Sequence, residues 1–129
     1  MSAFAQSLIA ELLILALSIG FVAVAEAQPP IRIGASASKT GAYAALGQNQ
    51  LRGYQLCVKH TNEKGGVLGR KLELVVEDDQ SQAATAIRIY ERLITQEKVD
   101  FVLGPYGSPM PVPMTYLTEK YRMPMVAAT

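Results

Sequence analysis

The chain has 129 residues, 12 Lys and Arg against 11 Asp and Glu, a formal charge of +1 and apolar residues at 50% of its positions. So mild and evenly spread a balance gives no footing to nucleic acid or an anionic membrane surface as partner. Cys57 is the only cysteine, which excludes an internal disulfide framework and any multi-cysteine metal site.

The first element is a leader. Leu8 to Ala25 is almost wholly apolar, and Ala25-Glu26-Ala27 supplies the small-x-small pattern that a signal peptidase needs. Residues 1–27 are therefore expected to be a signal peptide, cut before Gln28. No Lys or Arg precedes the run, and about 18 apolar residues is the least that spans a bilayer, so an uncleaved membrane helix is the rival. The turn-prone Pro29-Pro30 directly after the site favours cleavage. Gln28 stands where a lipidated chain would need Cys. The expectation is a soluble, periplasmic protein with 12 basic and 9 acidic residues left.

From there strand and helix signals alternate. Ile31 to Ser36 reads as a short apolar strand, and Leu46 to Asn62 carries Leu51, Tyr54, Val58 and Thr61 at helical spacing. Lys64-Gly65-Gly66 stops that helix. Gly69-Arg70 turns the chain into Lys71 to Glu77, where Leu72, Leu74 and Val76 alternate with polar residues. A second helix is predicted over 82–97, capped by Asp79 or Ser81, with Ala83, Ile87, Tyr90 and Ile94 on one face. Val99 to Gly104 is a nearly continuous apolar run, the mark of a strand covered on both faces. Pro109, Pro111 and Pro113 delay the third helix to about Pro113, and it runs to Tyr121. Met123 to Ala127 is the fourth strand. Cys57 lies on the apolar side of its helix and is expected to be buried in the core.

This β-α-β-α-β-α-β order predicts an α/β fold, a doubly wound parallel sheet of which the chain holds only the first four strands. The last strand would have an open edge, so residues 28–129 read as an incomplete amino-terminal part of a larger protein. Ligands of such sheets bind beyond the carboxyl ends of the strands, where strand order reverses. That rule selects the loops Ala37 to Gly47, Asp78 to Ser81, Gly104 to Met110 and Ala127 to Thr129. Ser36, Ser38, Thr40 and Gly41 after the first strand, Gly107 and Ser108 after the third and Thr129 after the fourth are small or hydroxylated, so a ligand can approach the backbone and hydroxyls can bond a carboxylate or ammonium.

Other chemistries are thinly supported. Ser38-Lys39-Thr40 lacks the glycines of a phosphate-binding loop, since Ser38 and Ile33 occupy their positions, and no dinucleotide-binding glycine pattern follows Ile33. His60, the only histidine, falls mid-helix on the solvent side. Asp78-Asp79 are paired carboxylates at a strand end, suited to acid/base work or to helix capping. No nucleophile stands near a base, so no enzyme, cofactor or metal is expected.

Five segments carry a family resemblance: Ile31-Arg32-Ile33-Gly34 with Thr40-Gly41 and Gly47; Asn62-Glu63-Lys64-Gly65-Gly66 with Gly69-Arg70-Lys71-Leu72; Asp78-Asp79-Gln80; Val102-Leu103-Gly104-Pro105; and Ala127-Ala128-Thr129. In order and spacing, Ile31 to Thr129 resembles the periplasmic solute-binding proteins of branched-chain amino acid ABC transporters, which have the type I periplasmic binding fold. The resemblance implies two lobes that close on a small solute, an amino acid or related carboxylate, and deliver it to a membrane permease. It further implies that Ser108, the Ala127 carbonyl and Thr129 hold the solute's charged groups, with Gly107 and Leu46 beside them. The chain departs from some amino-acid binders in having Leu46, not an aromatic residue, before Gly47, and Pro109 after Ser108. A ligand-sensing receptor domain, or a binder of amides or aromatic acids, is the alternative on the same fold.

Overall fold

The structure, a computed structural model, describes residues 28–107 and 109–127. The leader, and with it the question of its cleavage, lies outside the described residues. Among them, no helix is long and apolar enough to cross a membrane.

All seven predicted elements are present in the predicted order. They are β1 (Ile31–Ala37), α1 (Ala44–Glu63), β2 (Leu72–Asp78), α2 (Ala83–Thr95), β3 (Phe101–Leu103), α3 (Pro111–Tyr121) and β4 (Met125–Val126). The strands form one parallel sheet in the order β2-β1-β3-β4. The chain steps one way from β1 to β2 and the other way from β2 to β3 and β4. Right-handed crossovers then place α1 on one face, and α2 and α3 on the other.

The two faces are unequally filled. Beneath α2 and α3 lies the core, where Ala86, Ile89, Tyr90, Leu93 and Ile94 meet Val99, Val102, Met110 and Met114. Ala83 and Ile87, predicted on the same helical face, pack half-buried against its rim. Full burial of large side chains of this kind contributes roughly 1.5–3 kcal/mol each. Tyr90 is completely buried, and its phenol is satisfied: it donates to the Leu103 carbonyl and accepts from the Ser36 amide at 3.3 Å. Burial raises its pKa well above the ordinary phenol value.

On the other face, α1 buries only Gly47 fully. Beside it Ile33, Tyr54, Cys57, Val58, Leu72, Phe101 and Leu103 line an apolar recess of about 290 Å³. Cys57 thus lies on the apolar side of α1 as expected, but it is exposed, not buried, because the described residues do not fill that side.

Several boundaries differ from expectation by a few residues, among them those of α2, which spans Ala83–Thr95. α1 starts two residues early, at Ala44. α3 starts at Pro111, since prolines in a first turn sacrifice amides that have no intrahelical partner in any case. β3 and β4 are trimmed to three and two residues, because pairing between them is confined to Val102 with Met125 and Leu103 with Val126. Gly65 and Gly66, at φ of 100° and 86°, end α1 as read from the sequence.

At the amino ends of the strands Arg32 ties neighbouring segments. Its amide donates to the Asp100 carboxylate at 2.7 Å, and its guanidinium reaches the Glu97 carboxylate at 3.0 Å and Glu73 at 3.6 Å. The loops in question leave the opposite, carboxyl ends.

Candidate functional site

Strand order reverses between β1 and β3, so the crevice rule points to the loops after these two strands. The loop after β1 is held from beneath by Asp79. This side chain is fully buried at the end of β2, and both its oxygens are used. Ser36 Oγ donates to one at 2.8 Å; Ser38 Oγ at 2.6 Å and the Ser81 amide at 2.9 Å donate to the other. The β1–β2 register, with Ala37 opposite Asp78, makes this meeting inevitable.

Asp78 works on the outer side of the same loop. It accepts from the amides of Lys39 (2.9 Å), Thr40 (3.3 Å) and Gln80 (2.9 Å) and from the Thr40 hydroxyl (2.8 Å). Partial desolvation pushes its pKa up, but the bonds from the Gln80 amide, the Thr40 hydroxyl and the Lys39 and Thr40 amides outweigh it and hold the carboxyl below its usual range. Neither carboxylate caps α2, as the sequence suggested one would. Gln82 is the N-cap and no side chain caps the helix. Ser81 Oγ instead accepts from the Tyr43 amide at 3.0 Å and donates to the Thr40 carbonyl at 2.8 Å.

Ser36 and Ser38 are thereby corrected from candidate ligand groups to internal braces of the loop, while Thr40, which also donates to Asp78, is exposed. Ser36 and Ser38 are wholly buried. The Asp78-Asp79 pair is equally committed, so its reading as acid/base machinery finds no support in the geometry. His60 is exposed on α1, as expected. Among the described residues no cluster of three His, Cys, Asp or Glu could hold a metal ion.

α1 approaches this loop closely. A Cβ on Gly47 would lie 2.4 Å from the Ser38 carbonyl oxygen, so only glycine permits the approach. Leu46 beside it is 49% exposed at the crevice edge.

The loop after β3 runs alongside the end of β4. The Gly104 amide donates to the Val126 carbonyl at 2.8 Å, and a Cβ on Gly104 would stand 3.1 Å from the Ala127 Cα. Gly107 follows at φ 91°, a conformation that suits glycine, under the ring of Tyr43. The structure therefore brings the Gly104–Gly107 loop to Ala127 on one side and to the start of α1 on the other. Ser108 and Thr129, the two hydroxyls expected at the site, lie outside the described residues.

Two side chains that sequence reading passed over also lie here. Tyr43, just before α1, and Tyr106, after β3, face each other with ring centroids 6.3 Å apart and planes inclined at 59°. Their signal in the sequence was an aromatic residue in each of the two loops flanking the reversal point.

A sequence profile of a family described as periplasmic binding protein matches residues 30–129. The Leu/Ile/Val-binding protein BraC3 of Rhizobium johnstonii is 31% identical over 112 residues, 87% of this chain and 30% of that protein. LivJ, a branched-chain amino acid transporter substrate binding protein of Streptococcus pneumoniae solved with isoleucine, superposes with a TM-score of 0.73 at 33% identity, over 76% of this chain and 28% of that one. A fatty acid ABC transporter substrate-binding protein from Thermomonospora curvata superposes with a TM-score of 0.68 at 31% identity, over 78% and 25%. The chain spans less than a third of the length of each of these proteins.

Proposed function

Since the chain belongs to the periplasmic binding protein family and holds four strands of a type I periplasmic binding lobe, we propose that it serves an extracytoplasmic receptor that binds a small amino acid or related carboxylate for delivery to an ABC transporter permease. The observation that carries this reading is the convergence of the Gly104–Gly107 loop on Ala127 at the strand ends. A zwitterion needs donors and acceptors placed together, and the approach of Gly104 to Ala127 supports a site shared by these two strand ends. In this reading Ser108 and Thr129 bind the solute's carboxylate and ammonium, Ala127 accepts through its carbonyl, and Gly107 and Leu46 border the pocket. Residues 28–129 supply part of the amino-terminal lobe.

Ser108→Ala and Thr129→Ala in the complete receptor are each expected to weaken isoleucine binding severalfold or more, measured by titration calorimetry, because each removes a hydrogen bond to a charged group. Unchanged affinity in both variants would remove these residues from the site.

The proposal also requires export. The secreted protein is expected to begin at Gln28, read by intact mass or amino-terminal sequencing. Recovery of the uncleaved chain in the membrane fraction would favour an anchored receptor instead.

A further inference from the structure

Ser36, Ser38 and Thr40 donate their hydroxyls to Asp79 and Asp78, and two aromatic side chains stand in the loops that flank the crevice between β1 and β3. Tyr43 comes from the loop after β1 and Tyr106 from the loop after β3, so their rings bridge the point where strand order reverses. Both are half-buried, each keeping surface to offer. Tyr43 is anchored on both sides: its amide donates to Ser81 Oγ, and its ring rests over Gly107 and against the core rim. A 59° inclination at 6.3 Å is an arrangement that aromatic pairs favour, and a further ring brought against either would gain contacts of the same kind.

Resting on the reading of this edge as a solute site, we propose that Tyr43 and Tyr106 form its side-group wall and make it prefer a solute with an aromatic group over one with a branched aliphatic group. Leu46 is 49% exposed and leaves the wall to these two rings. The rings add directional contact that an aliphatic chain of similar area lacks, which amounts to roughly a threefold to tenfold gain in affinity.

The test uses the complete receptor with L-phenylalanine and L-isoleucine as probes, titrated by calorimetry against wild type, Tyr106→Leu, Tyr43→Leu and Tyr43→Phe. The expected result is that wild type binds phenylalanine more tightly than isoleucine. Each Leu variant then shrinks the preference at least threefold, while Tyr43→Phe, which keeps the ring, preserves it. Isoleucine binding with no phenylalanine preference, or a preference that both Leu variants leave unchanged, overturns the aromatic wall and leaves the amino-acid receptor standing. Binding of neither probe overturns both.

Discussion

Asp79→Ala is expected to destabilise the fold by about 3–5 kcal/mol, read as a lowered urea midpoint with an unchanged slope. The magnitude follows from what the side chain leaves behind. Two hydroxyls and one amide lose their acceptor at once, and Ser36 and Ser38 are wholly buried with no route to water. Asp79→Asn keeps the shape but offers only one accepting oxygen, so it should lose about half as much. A loss below about 1 kcal/mol for Asp79→Ala would mean that the loop rearranges to find other partners, and the brace would not be the loop's foundation.

The second large effect reverses an ordinary rule. Glycine to alanine inside a helix normally stabilises by roughly 0.5–1 kcal/mol. Gly47→Ala should instead cost about 2–3 kcal/mol, since its new methyl would meet the Ser38 carbonyl at 2.4 Å and the braced loop cannot retreat. Gly53, on the same helix, has nothing within 4 Å of a would-be Cβ, so Gly53→Ala should show the ordinary gain. Thermal melts of the two variants separate the local clash from helix propensity. Equal shifts in the same direction would sink the steric account. Because Ser38 is the shared neighbour, Gly47→Ala combined with Asp79→Ala should cost less than the two added together. Once the brace is gone, the loop can yield to the methyl.

The fold was legible because its signals are periodic and local. Leu72, Leu74 and Val76 alternate, α2 repeats its apolar residues at helical spacing, and paired glycines mark the end of α1. What the sequence hid depends on contacts distant in the chain. Ser36 and Ser38 look like ligand groups until the β1–β2 register sets Asp79 beneath them, 43 and 41 residues away. Cys57 shows the same limit in another form: spacing tells which side of a helix a residue occupies, but not whether anything covers that side. The proline-rich stretch misled in the opposite sense, because a rule for helix interiors was applied to a first turn. At the site, loop proximity was predictable from topology, as Gly104 beside Ala127 bears out. The Tyr43–Tyr106 pairing needed coordinates, since nothing in either loop alone says that the two rings meet.

The interior place of β1 in the order β2-β1-β3-β4 also has a meaning in time. A ribosome makes β1 first, yet one of its edges has no neighbour until Phe101–Leu103 exists. Before then β1 and β2 can offer only a lone parallel pair, a pairing whose loop-closure cost comes due before its contacts repay it. The helices α2 and α3, which close the better-filled face, likewise gather around β3. The first strand to be synthesised is therefore paired on both edges only after β3 has been made.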